Sequence, residues 1–317
     1  MDKKEKLLSK PLNVCLLAMI CCALWGSAFP CIKIGYSLFS IQGGDYFSQI
    51  LFAGIRFTLA GILIIAFGSI ISKKFLLPKK SSFAKISVLS LFQTILQYIF
   101  FYIGLAHTTG TKISIINSVS VFFAVIISSV IFKQDRLTLK KVIGCVIGFL
   151  GVVIINFSNS GGFDFNFRFS GEGFIVISSL SYAFSSVFLK KFSESENPVV
   201  LSGYQFALGG IAMTVFGIVL GGKITQADFK GIVLLIYLAF ISAAAYTLWG
   251  ILLKYNDVSR VAVFGFMTPV FGCLLSAIFL KEEITQTAFQ IILSLLLVCL
   301  GIYAVNSKSK NKILKET

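Results

Sequence analysis

Residues 111–135 read TKISIINSVSVFFAVIISSVIFKQD, and residues 259–283 read SRVAVFGFMTPVFGCLLSAIFLKEE. At an offset of 148 residues, Lys112 falls on Arg260, Phe123 on Phe271, Ile131-Phe132-Lys133 on Phe279-Leu280-Lys281, and Asp135 on Glu283. Each stretch is an apolar run of the length a helix needs to cross a bilayer core, about 20 residues. Each opens on a basic residue and closes on a lysine and an acid. Near the same offset Arg56-Phe57 meets Gln205-Phe206 and Gly61 meets Gly210, while at 157 Trp25 falls on Tyr182 and Lys33 on Lys190. Two unrelated apolar helices resemble each other somewhat, but these matches keep their order along the chain, as a duplicated unit requires.

Working outward, ten segments are apolar enough and long enough to span: 12–34, 48–71, 84–105, 113–132, 140–156, 172–189, 199–220, 231–252, 260–280 and 286–305. The breaks carry turn or charge signals, such as Lys79-Lys80 after Pro78, Glu196-Asn197-Pro198 and Gly221-Gly222-Lys223. The longest is rich in Ser, Gly, Asn and Phe. It divides the chain into a tail (1–11), a first five-helix repeat (12–156), a linker (157–171), a second repeat (172–305) and a final tail (306–317). Five spans is an odd number, so the two repeats run in opposite directions through the membrane. The expected fold is therefore an all-α polytopic membrane protein of ten transmembrane helices in two inverted repeats.

Composition agrees. Hydrophobic residues make up 56% of the 317 and charged residues 13%, about half the charged share of a soluble domain. The net charge of +15 raises the question of nucleic acid, yet the basic residues form no stripe with interleaved aromatics. They sit in tails and loops. With the N-terminus inside, alternate loops and tails carry 21 Lys and Arg on the inner side against 5 on the outer, leaving Lys33 and Arg56 within helices. By the positive-inside rule both termini are expected in the cytoplasm, in the plasma membrane, with the basic loops against an anionic inner leaflet. The first apolar run is too long for a signal peptide. The seven cysteines fall in apolar runs without C-x-x-C spacing, which fits buried thiols and implies no disulfide, metal or cofactor site.

Several of these residues also resemble a known family. Trp25-Gly26-Ser27-Ala28-Phe29 with Lys33, Arg56-Phe57, and Phe279-Leu280-Lys281-Glu282-Glu283 are similar to motifs of the EamA family of the drug/metabolite transporter superfamily. The resemblance covers essentially the whole chain. It implies a permease for a small organic solute, amino-acid-like, nucleoside-like or similar, commonly an exporter, acting by alternating access. It does not imply one substrate. The chain departs from the pattern at Val121, which stands where the second repeat has Pro269.

Polar groups inside a bilayer are costly, so each is a candidate for lining a cavity. All 13 acidic residues lie in tails, loops or helix ends, so no buried carboxylate offers itself for proton coupling. The one histidine, His107, sits at the outer end of the third span. Arg56 lies about 12 Å deep at 1.5 Å per residue. It either binds a substrate carboxylate or ties helix ends together through carbonyls or Asp45. Lys33 is nearer the surface and can snorkel. Gln93 and Gln97 are spaced to share one helix face, as are Ser114, Asn117 and Ser118. Ser178, Ser181 and Ser185 recur beside Tyr182 at a spacing that also suits close helix packing. The candidate cavity lining is Trp25, Ser27, Arg56, Gln93, Gln97, Asn117, Tyr182, Ser185, Gln205, Tyr246 and Trp249. Gly144-x-x-x-Gly148 and the Gly203, Gly210 and Gly217 ladder suit tight contacts, within a monomer or a homodimer. A membrane enzyme acting on lipid would want a cluster of His, Asp, Glu or Cys near one surface, and a channel would want a ring of charge or a filter loop. Neither pattern is visible. A non-transporting scaffold is the bland alternative.

Overall fold

The computed structural model describes residues 3–105, 107–108, 110–156, 167–280 and 287–307. After a short helix, Lys3–Leu8, come α1 (Pro11–Leu38), α2 (Tyr46–Ser72), α3 (Ser82–Leu105), α4 (Lys112–Ile131), α5 (Leu139–Ile155), α6 (Phe169–Phe192), α7 (Pro198–Val219), α8 (Phe229–Tyr255), α9 (Val258–Phe279) and α10 (Ala288–Asn306). Among the described residues, nine of these are long and apolar enough to cross a membrane. The remaining helix, α5, has 17 residues, the short end of the spanning range. The protein is a multi-pass helical membrane protein. Large apolar side chains stay exposed along α1, α2, α5, α7, α8 and α10, as lipid contact demands.

Local chemistry sets the helix ends. Pro11 and Pro198 begin α1 and α7, where a missing N–H is no loss. The side chains of Asp45, Thr138, Asn197 and Asp228 each accept a backbone N–H at an N-terminus, and Thr287 with Gln290 forms a capping box on α10. Helix α1 runs four residues beyond its expected end at 34. The start of α6 comes earlier than expected: residues 169–171, read as linker, are its first turn, held by Glu172 accepting from Arg168 N at 2.8 Å and Thr108 Oγ1 at 2.5 Å. Residues 157–166 of that linker, Lys281, Glu282 and Glu283 of the family-like motif, and the tail from 308 lie outside the described residues.

The helices pair crosswise between repeats. Helix α2 packs along α7 and α5 along α10; α1 meets α8 and α9, while α6 meets α3 and α4. Exchanging the repeats (α1 with α6, α2 with α7, and so on) maps this set of contacts onto itself, the signature of a pseudo-twofold axis. Glycines permit the closest approaches. A methyl on Gly54 would sit 2.5 Å from Thr214 N, and one on Gly210 only 2.3 Å from Thr58 N. In the outer pair, Gly144 faces the Gly301 carbonyl and Gly301 the Gly144 carbonyl. The glycines read as packing points therefore join the two halves of one chain.

Interruption of α4 and α9 is also shared, despite the unmatched proline. In α9 the residues Val263–Phe266 tighten into a 3₁₀ turn just before Pro269, whose ring denies a donor to the preceding turn. In α4 the break falls at Val119, whose N–H bonds Ile116 O at 3.0 Å, while Ser118 Oγ donates to Ser114 O at 2.8 Å. Back-bonding of this kind bends helices. A serine does in one repeat what a proline does in the other.

Replacing Gly54 or Gly210 by valine should cost about 1–3 kcal/mol by overpacking, read as a lower melting temperature in detergent. Gly43→Ala, where no atom lies within 4 Å, should leave the melt unchanged.

Candidate functional site: a cavity between the repeats

At the centre, repeat-matched residues meet each other. Phe57 of α2 stacks on Phe206 of α7 with centroids 5.3 Å apart and planes 8° apart. Tyr98 of α3 and Tyr246 of α8, 148 positions apart, join hydroxyls at 2.7 Å. Trp25 of α1 stands edge-on to its counterpart Tyr182 at 6.5 Å and packs against Tyr246 and Trp249 at 5.0 Å each. These rings bury apolar area and leave polar edges to be satisfied.

A cavity of about 270 Å³ lies against this aromatic layer. Its walls come from the second halves of α1 and α3, the first halves of α2 and α4, and the middles of α6, α8 and α9. It therefore occupies the half of the bundle nearer the α1–α2 loop, with Trp25, Tyr182 and Tyr246 as its floor. Within it lies Arg56, only 4% exposed, its guanidinium 4.5 Å from the Phe57 ring centre and 6.0 Å from that of Tyr98. Three buried polar donors on the lining lack a hydrogen-bond partner among the described residues, Trp25 Nε1, Arg56 Nε and Arg56 Nη1, and the Tyr36 and Tyr102 hydroxyls face each other beside them. Unpaired buried groups are rare in native proteins and call for an explanation.

Of the residues singled out from sequence, Trp25, Arg56, Gln97, Asn117, Tyr182 and Tyr246 border the cavity. The other five sit outside its lining. Ser27 Oγ donates to Leu24 O at 2.8 Å and lies 3.3 Å from Tyr237 Oη. Ser185 Oγ donates to Tyr182 O, and Trp249 backs Trp25. Gln205 Nε2 donates to Gln93 Oε1 at 3.0 Å, and its own carbonyl accepts from Thr94 Oγ1 at 2.7 Å. That network joins α3 to α7. Gln93 lies inside a π turn, Ser90–Leu96, and bonds across to α7, whereas Gln97 just after that turn borders the cavity. Asp45 caps its own helix through Ser48 N and does not hold Arg56. Lys33, expected to snorkel, reaches the cavity as an exposed member of its lining. His107 is exposed, with Nδ1 2.8 Å from Ile103 O. Hydropathy overlooked Tyr36, Tyr98, Tyr102 and Thr268. Tyr98 had a signal all the same, since it precedes Tyr246 by the repeat offset of 148.

The opposite half of the bundle is closed by polar bonds, most of them between the repeats. Asp135, after α4, accepts from Ser259 of α9 and pairs with Lys141. Gln134 Nε2 donates to Val187 O at 3.3 Å, Lys190 Nζ to Lys254 O at 3.3 Å, and Lys85 pairs with Glu196 at 3.0 Å. The Lys85 ammonium holds the Glu196 carboxyl below the usual carboxylate range.

Ten helices in two inverted halves, with a cavity between them closed toward one face, define a secondary transporter fold. The model of the EamA-like transporter family matches residues 12–157 and again residues 169–307, and the chain belongs to that family. An uncharacterized transporter of Archaeoglobus fulgidus is 28% identical over 287 residues, spanning 90% of this chain and 95% of its own. A probable amino-acid metabolite efflux pump of Escherichia coli is 25% identical over 300 residues, spanning 91% and 93%. One solved crystal structure superposes with a TM-score of 0.75 at 18% identity, over 93% of this chain and 96% of the other. That likeness speaks for the fold.

Two outcomes test these assignments. Gln205→Leu should cost about 1–3 kcal/mol of stability by stranding Gln93 and Thr94 while leaving ligand affinity within about twofold, by melting and binding titration together. The depressed Glu196 acid favours the folded state above the ordinary carboxylate pKa, and this contribution disappears as pH falls through the folded value. Glu196→Gln should therefore melt lower than the parent at neutral pH, by under about 1 kcal/mol, with the gap closing in acid.

Proposed function

We propose that this protein moves a small organic metabolite across the plasma membrane by alternating access, in the outward direction, with the cavity around Arg56 as its solute site. The observation that carries the reading is the set of unpaired polar donors on a mostly apolar and aromatic wall between the two repeats. A solute with a few polar groups would satisfy them, and such walls with sparse polar fixers are what small-molecule sites use. The positive-inside bias of loops supports cytoplasmic termini. In that orientation the cavity lies in the outer half of the bundle, and the Asp135–Ser259 layer is the inner seal. The efflux-pump relative from E. coli supports export of an amino-acid-like or similar metabolite. The cavity is complete within one chain, so the transport unit is the monomer, and a homodimer would carry two such sites.

The reading assigns no catalysis and no cofactor to the chain. No group of three or more His, Cys, Asp or Glu able to hold a metal occurs among the described residues. The test is solute counterflow in proteoliposomes with a metabolite library. Saturable exchange of at least one organic solute is expected, reduced on the order of tenfold by Trp25→Ala through loss of the aromatic floor. An absence of exchange for every solute, alongside turnover of a lipid or an ion current, would sink the proposal.

A further inference from the structure

Charge in a desolvated cavity selects its ligand. Arg56 is buried within α2, and at least two of its three guanidinium nitrogens, Nε and Nη1, have no hydrogen-bond partner among the described residues. Its charge is held against the faces of Phe57 and Tyr98, an arrangement that stabilises a cation without consuming its N–H donors. Among the described residues, no acidic side chain appears in the lining. Tyr36 and Tyr102 add two hydroxyls that face each other beside Arg56, and Trp25 Nε1 a further donor. The remaining wall is mostly aliphatic and aromatic, including Phe29, Ile32 and Phe101, with the neutral polar groups of Gln97, Asn117 and Thr268 among them.

We infer that the cavity selects an organic carboxylate: a small anion whose acid group pairs with Arg56 and whose flat apolar body lies over the Trp25 floor. A guanidinium with free donors matches carboxylate geometry and forms charge-assisted hydrogen bonds there. An ammonium group finds no carboxylate opposite it, so a positive charge on the solute gains nothing and is repelled by Arg56. This preference rests on Arg56 and leaves the charge of Lys33 aside. It deepens the transport reading by naming a solute class, and it rests on that cavity being the solute site.

The protein carries its own reporter. Of its two tryptophans, Trp25 forms part of the cavity floor and Trp249 packs behind it with centroids 5.0 Å apart, so intrinsic fluorescence reads occupancy. Purified protein in nanodiscs is titrated with four molecules sharing one phenyl body: 3-phenylpropanoate, phenylalanine, 3-phenylpropanol and phenethylamine. The expected order of affinity is 3-phenylpropanoate above phenylalanine, with the alcohol and the amine weaker than the carboxylate by about tenfold or more, the scale of one charge-assisted bond. Arg56→Gln should abolish the gap between carboxylate and alcohol, and Arg56→Lys should retain part of it. Equal binding of all four by the unmodified protein would overturn the inference, as would tighter binding of the amine. The series on the parent decides the question even if the variants fail to fold. Counterflow measured with the same four molecules separates the claims. Exchange without anion preference removes the carboxylate assignment alone, whereas anion-selective binding without exchange of any solute removes the carrier reading.

Discussion

Two contacts at the pseudo-axis hold the rest of the structure in place: the stack of Phe57 on Phe206 and the hydroxyl bond between Tyr98 and Tyr246. Each joins a residue to its own counterpart in the other repeat. In a bilayer, lipid tails are as apolar as leucine, so burial of hydrocarbon alone does not drive helices together. Close packing and interhelix hydrogen bonds must do so. The glycine approaches of α2 to α7 and α5 to α10 supply the packing, and the central aromatic pairs supply direction and register.

Around that axis the two halves are not equivalent, and the difference is chemical. Arg56 and Gln205 precede the stacked phenylalanines at matching positions. Gln205 is satisfied on both edges, by Gln93 and Thr94. Arg56 is left with free donors beside open space. One side of the axis has become a sealed polar joint and the other a cavity. The same division appears at the ends of the bundle, where Asp135, Ser259 and Lys141 close one half while the lining helices stay apart in the other. A fold with inverted repeats produces this asymmetry whenever it is open toward only one side.

Much of this was legible along the chain. Span number and the duplication are one-dimensional properties: hydrophobic length reflects bilayer thickness, and an odd number of spans per unit forces inversion. The paired break in α4 and α9 was not, because Val121 stands against Pro269 and only the Ser118 back-bond reveals the common bend. The deepest cation, Arg56, stood out because any charge at that depth is costly, although its role stayed divided between ligand and strut.

What the sequence by itself determined is therefore the membrane class, the ten spans, the two repeats and a short roll of costly polar groups. Only the tertiary structure decided which of those groups share a space. Gln93, inside a π turn, meets Gln205 while Gln97 borders the cavity, and no hydropathy pattern encodes which neighbour each of them meets. Tyr36 of α1 and Tyr98 and Tyr102 of α3 converge on Arg56 of α2 because the repeats cross at the Phe57–Phe206 stack. Convergence of that kind depends on the angles between helices, which are set by packing between residues far apart in the chain.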